Sequence, residues 1–135
     1  MASKIRHIAL RAEDPAKLAT FYEEVFDMKV VGRNEGSGSV FMSDGYLNLA
    51  ILHNRHEMPP GLNHFGFQID DMDKTAEKLV SAGVQSPQVR PNNPPYAESR
   101  AADPEGNMFD LSVHGYQEEE RQADRAAQNK IEAKV

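Results

Sequence analysis

The sequence predicts an α+β domain made of two βαβββ modules, and three observations carry that prediction. The stretch "RHIALRAED" near the start returns as "NHFGFQIDD" in the middle, with His7 and His64 second in each phrase and Asp14 and Asp71 seven positions after the histidine. A segment with helical apolar spacing follows each phrase. Three short segments with strand-like patterning follow each helix. An internal repeat of this size reads as two similar supersecondary units sharing one core.

In the first module, "KIRHIALRA" alternates, with Ile8 and Leu10 on one face and His7 and Ala9 on the other. A period of two is the signature of a strand with one packed face. Asp14-Pro15 then supplies an N-cap and a proline at the first helical position. Leu18, Phe21, Tyr22, Val25 and Phe26 recur at the spacing of one helix face. "KVVGR" and "SVFMS" read as strands, with Gly36 and Gly38 in the turn between them, and Asp44-Gly45 signals a hairpin. "YLNLAIL" sets Leu47, Leu49 and Ile51 against Asn48 and Ala50.

The second module repeats the plan. "LNHFGFQI" puts Phe65, Phe67 and Ile69 on one face and His64, Gly66 and Gln68 on the other. Asp71 caps a helix carrying Met72, Ala76, Leu79 and Val80, and Gly83 stops it. "VQSPQVR" is a weak strand that Pro87 assigns to a sheet edge. "ESRAA" is a strand, "DPEGN" a turn, and "MFDLSV" a last strand with Phe109, Leu111 and Val113 opposite Asp110 and Ser112. The expected organisation is one domain over residues 1–115, with modules at about 4–53 and 62–114 and a linker at 54–61 containing Pro59, Pro60 and Gly61. Residues 116–135 read as a charged helical or frayed tail; Ala123, Ala127 and Ile131 offer it an alternative role in docking on a partner subunit.

Composition narrows the function classes. A net charge of −6 without a basic cluster argues against a nucleic-acid or anionic-membrane partner. No apolar run is long enough to span a bilayer, and no signal peptide is expected. The absence of cysteine excludes disulfides and thiolate metal sites and suits a reducing cytoplasm.

Function is suggested by what the alternation leaves over. His7, Asn48, His64 and Asp110 all fall on the face opposite the apolar residues, matched in pairs by the repeat: His7 with His64, and Asn48 in "LNLAI" with Asp110 in "FDLSV". A histidine alone on a strand is an ordinary structural residue, but a carboxylate inside an alternating strand is costly unless it is paired. A pseudo-twofold axis between the modules brings the four onto one concave surface. Two imidazoles and a carboxylate offer a divalent metal three ligands and leave positions open, a set suited to non-haem Fe2+, with Mn2+, Ni2+, Co2+ or Zn2+ as alternatives.

The paired modules, the two opening histidines and the turn "DPEGNMFDL" resemble the vicinal oxygen chelate superfamily, which includes glyoxalase I, extradiol dioxygenases, methylmalonyl-CoA epimerase and bleomycin- and fosfomycin-resistance proteins. The resemblance covers roughly residues 4–114. It implies that the modules form a curled mixed sheet with a concave metal-binding cleft. It also implies that His7, His64 and Asp110 occupy the ligand positions of the first, fifth and eighth strands, and Asn48 that of the fourth. Two departures stand out. The last ligand is usually glutamate, and Asp110 is one methylene shorter. Glyoxalase I has glutamate at the fourth-strand position, whereas the amide of Asn48 cannot serve as a general base.

Three function classes follow. The first is a metal-dependent enzyme whose substrate chelates the ion through neighbouring oxygens, the extradiol dioxygenase pattern, with His53, His114 or Tyr96 available for proton handling. The second is a metal-dependent isomerase, epimerase or lyase with Glu98 as base and Arg100 beside it. The third is a ligand-binding, resistance-type protein in which the same residues form an ordinary hydrogen-bonded cluster. The partners expected are a small-molecule substrate and a second copy of the chain in a homodimer. The cleft could lie within one chain or be shared across that dimer.

Overall fold

The alternating segments and capped helices appear in a computed structural model that describes residues 3–55, 57–90 and 97–117. Tyr96 and residues 118–135 lie outside these. Strand β1 (Lys4–Ala12) leads into helix α1 (Pro15–Phe26), whose N-cap Asp14 accepts a hydrogen bond from the Lys17 amide at 3.1 Å. Strands β2 (Lys29–Arg33), β3 (Val40–Ser43) and β4 (Asn48–His53) complete the first module. Strand β5 (Gly61–Gln68), helix α2 (Met72–Ser81) and strands β6 (Gln88–Val89), β7 (Ser99–Ala102) and β8 (Met108–Ser112) repeat it. Asp71 caps α2 as Asp14 caps α1. The turn before β8 is held by Asp103, whose carboxylate accepts from the Glu105 and Asn107 amides and the Asn107 side chain, each at 2.9 Å.

All eight strands join one mixed sheet in the order β2-β3-β4-β1-β5-β8-β7-β6. The modules meet where β1 and β5 run antiparallel, and each first strand pairs in parallel with its own module's last strand. The short β6, after Pro87, lies at the sheet edge as its sequence predicts.

The core differs from the expectation of a single shared one. Ala12, Ala19, Val40, Met42 and Ile51 form one buried cluster with Leu18 and Tyr22 of α1 packed against it. Ile69, Phe109 and Leu111 form a second, with Met72 and Leu79 of α2 against it. The division arises because each helix covers only the half-sheet of its own module. Within the α1 stripe, Phe21, Val25 and Phe26 are exposed, and Ala19 takes the buried position instead.

Two bulges interrupt the β1–β5 seam. In the first, Arg6 is the extra residue between Ile5 and His7. Its guanidinium donates to the Tyr46 carbonyl at 3.1 and 3.0 Å and to the Gln68 amide oxygen, and lies over the Tyr46 ring. In the second, Asn63 is the extra residue between Leu62 and His64. A bulge bends its strand and re-aims a side chain.

Just past β8, residues 116 and 117 pack back onto the sheet. Tyr116 is 1% exposed and donates its hydroxyl to the Phe67 carbonyl at 3.2 Å. Gln117 accepts from Ser43 Oγ and donates to the Tyr46 carbonyl, both at 2.8 Å, which ties the chain after β8 back to the first module. Polar residues at 116 and 117 gave no apolar pattern by which this packing could be read.

Gly66 records how tightly these parts meet. It pairs with His7 across the seam, and a Cβ there would stand 2.7 Å from the Tyr116 hydroxyl and 3.0 Å from His7 Cβ. Gly66→Ala is expected to destabilise the fold by about 1–3 kcal/mol through overpacking, read as a lowered thermal midpoint. An unchanged midpoint would show that the seam has slack.

Candidate metal centre

The sheet order determines the site. β4, β1, β5 and β8 are consecutive neighbours, so the polar residues at their centres lie side by side. His7, Asn48, His64 and Asp110 are all buried. Small residues share their face: Ala9, Ala50 and Gly66 are buried there and leave room for the polar side chains.

Three donor atoms converge. His7 Nε2 and His64 Nε2 are 3.3 Å apart, His64 Nε2 and Asp110 Oδ2 are 2.9 Å apart, and His7 Nε2 and Asp110 Oδ2 are 3.6 Å apart. The other ends of the rings are held by amides. His7 Nδ1 bonds Asn48 Oδ1 at 2.9 Å, and His64 Nδ1 bonds Asn63 Oδ1 at 2.6 Å. An amide oxygen only accepts, so each Nδ1 carries a proton, which leaves each Nε2 available to face a cation; without one, His64 Nε2 stands at hydrogen-bond distance from Asp110. Tyr116 stacks on the His7 ring, with centroids 5.3 Å apart and planes 14° from parallel.

The electrostatics agree. Burial, and then the neighbouring His64, push the His7 pKa down from 6.5 to about 4, so the ring is neutral near pH 7. For Asp110, burial opposes ionisation, but the hydrogen bonds from His64 and Arg100 outweigh it and hold the carboxyl below its ordinary range. Arg100 Nε donates to Asp110 Oδ1 at 2.8 Å, and Arg90 Nη1 stands 3.9 Å from the same oxygen. Burial and the adjacent Arg100 lower the Arg90 pKa. Asp110 thus turns one oxygen to the guanidiniums and the other to the histidines.

Two imidazole lone pairs and a carboxylate oxygen facing one another repel unless a cation lies among them. A proton on one nitrogen relieves one contact, while a metal ion engages all three atoms. Donor atoms about 2.1 Å from a common ion stand about 3.0 Å apart at right angles and about 3.4 Å apart at the tetrahedral angle. The three observed separations bracket those values, so the residues fit one divalent ion.

The other sequence candidates lie elsewhere. Asn48 is wholly buried, and its oxygen is committed to His7, which makes it a positioning residue for that ring; among the described residues its Nδ2 has no hydrogen-bond partner. Glu98 precedes β7, and its carboxylate accepts from Ser112 Oγ at 2.9 Å and the Val113 amide at 3.1 Å. His53 is exposed at the end of β4. Asn63, Arg90 and Tyr116 were not predicted. Asn63 is adjacent to His64, and strict alternation would have sent it to the opposite face; only the bulge allows the contact.

A cavity of about 340 Å³ opens onto the three donors. Ser37, Ser39, Phe41, Ala50 and Leu52 line it from the first module, and Arg90 and Arg100 line it from the second. Asp110 is the only carboxylate among the described lining residues.

Comparison with known proteins agrees with this architecture. The family model of the Glyoxalase/Bleomycin resistance protein/Dioxygenase superfamily matches residues 4–111. Glyoxalase I of Saccharomyces cerevisiae is 28% identical over 116 residues, a match covering 60% of this chain and 36% of that protein. The chain therefore spans little more than a third of that relative's length. Among solved structures, methylmalonyl-CoA epimerase from Mycobacterium tuberculosis superposes with a TM-score of 0.59 at 14% identity, covering 79% of this chain and 85% of that one. A hypothetical protein from Bacillus halodurans C-125 does so with a TM-score of 0.62 at 16% identity, covering 82% and 94%. These two likenesses concern the fold. With the family match extending from β1 into β8, the chain belongs to the Glyoxalase/Bleomycin resistance protein/Dioxygenase superfamily.

Proposed function

We propose that the chain is a metal-dependent enzyme in which His7, His64 and Asp110 hold one divalent ion and a small substrate chelates that ion through two neighbouring oxygens. The supporting observation is the triangle of three donor atoms at one side of a cavity, which leaves the cavity side open to exogenous ligands. When bound, the ion would supply Lewis acidity and a template for orienting the substrate. The chain's own contributions are distinct. Asn48 and Asn63 fix the tautomers, Tyr116 fixes the plane of His7, and Arg100 holds the carboxylate in place.

The ligand set and the lining together support an extradiol-type dioxygenase using Fe2+. Two histidines and one carboxylate with open positions form the facial set of non-haem iron oxygenases. Isomerisation by proton transfer needs a base beside the substrate. Among the described lining residues the only carboxylate is Asp110, already assigned to the ion. Glu98 is engaged with β8, and His53 is exposed. The second reading, a glyoxalase-type isomerase, epimerase or lyase using Ni2+, Co2+ or Zn2+, draws support from the similarity to glyoxalase I. Its expected base, Glu98, is bonded to Ser112 and Val113, and Tyr96, expected to handle protons in the dioxygenase reading, lies outside the described residues. In a resistance-type binder, the same cavity would hold a ligand without turnover. The exposed apolar residues of α1 are compatible with a homodimer, and a chain without cysteine suits the cytoplasm.

Three outcomes test this reading. Ferrous-loaded protein given a panel of catechols is expected to consume dioxygen and release ring-opened product; turnover of a chelating substrate without oxygen, supported by nickel, cobalt or zinc, would transfer the assignment to the isomerase class. His64→Ala is expected to abolish stoichiometric metal binding with the fold retained, and Asn48→Ala to weaken binding about 10- to 100-fold at unchanged stoichiometry. Wild-type affinity in His64→Ala would mean the site is misassigned. The third outcome concerns acid stability of the metal-free protein. His7 has a folded pKa of about 4 against an ordinary 6.5. The unfolded chain therefore binds more protons in that window, and stability falls as pH drops through it, by at most about 3 kcal/mol. Asp110, with its pKa lowered from 3.8, adds a further loss at still lower pH. The thermal midpoint should fall from pH 6.5 towards 4, and less steeply in His7→Asn. Parallel curves for the two proteins would contradict the assignment.

A further inference from the structure

The cavity wall carries more positive charge than its one carboxylate balances. Arg90 and Arg100 both face Asp110, and both approach the same oxygen, Oδ1. Arg100 takes that oxygen with Nε at hydrogen-bond distance, whereas Arg90 at 3.9 Å is an ion pair without a hydrogen bond. Their side chains are 32% and 27% exposed, neither buried in the sheet nor extended into solvent. Among the described lining residues, two guanidiniums face the one carboxylate, in a protein whose net charge is −6.

An oxyanion on the ligand is the complement to this wall. Guanidinium groups present planar arrays of donors that match a carboxylate, and Arg90 uses none of its side-chain donors in a hydrogen bond to a described residue. Position narrows the class further. Asp110 spans from the guanidiniums to the histidines with a single carboxyl group, so the anion subsite lies about one functional group away from the donor triangle. We infer that Arg90 is a specificity-determining residue that binds a carboxylate carried by the ligand beside its two chelating oxygens, as in a catechol carboxylate. The inference deepens the function proposed for the same cavity and rests on it for the chelated ion.

The test uses the full chain, loaded with metal and with its metal content measured, titrated calorimetrically without oxygen with 2,3-dihydroxybenzoate, its methyl ester and inorganic phosphate. The acid is expected to bind about ten- to a hundredfold more tightly than the uncharged ester. Arg90→Gln should remove that preference while metal stoichiometry stays at the wild-type value, and Arg90→Lys should restore part of it. Equal binding of acid and ester, or an undiminished preference in Arg90→Gln, overturns the inference. Phosphate binding as tight as the acid and equally dependent on Arg90 also overturns it, by assigning the subsite to a different oxyanion. Failure of the chain to take up metal would be seen in the metal analysis itself and would refute the metal-enzyme reading; the same titrations on the metal-free chain then decide whether Arg90 selects a carboxylate.

Discussion

A carboxylate 1% exposed at the middle of a sheet is the constraint around which the rest is arranged. Removing Asp110 from water is costly, and the cost is tolerable only when both oxygens find positive or donating partners. Arg100 and Arg90 serve one oxygen from the second module. The other oxygen faces two imidazoles, and His7 reaches it from the first module across the β1–β5 seam. The carboxylate therefore links the halves of the molecule chemically where the sheet links them by backbone.

That linkage explains the small residues and irregularities nearby. Gly66 stands where His7 crosses the seam, because any Cβ would meet His7 and the Tyr116 hydroxyl. The bulge at Asn63 turns an amide towards His64, and the pairing of β1 with β4 puts Asn48 opposite His7. The pseudo-twofold is imperfect as a result. Asn48 pairs with His7, but Asp110 pairs with Gly66, not with His64. One matched position holds an amide bonded to His7, and the other holds the carboxylate of the donor triangle.

Much of this was legible in the sequence where a strict period governs. Alternation assigned His7, Asn48, His64 and Asp110 to one face, Asp14 and Asp71 marked both helix starts, and Pro87 marked the edge strand. What could not be read depends on departures from period. The role of Asn63 requires a bulge, that of Tyr116 requires the chain to turn back after β8, and that of Arg90 requires β6 and β8 to be placed around β7. The α1 stripe was over-read for a related reason. Helical spacing identifies a face but not how far the sheet extends beneath it, so Phe21, Val25 and Phe26 look like core and are exposed.

The claim on which the functional account depends is that His7, His64 and Asp110 share one cation. X-ray absorption spectroscopy of anaerobically prepared, iron-loaded protein measures this directly. The expected spectrum has one ion per chain, with outer-shell scattering from two imidazole rings and a first shell of nitrogen and oxygen donors alone. A spectrum with no imidazole contribution, or with one ring in place of two, would contradict it.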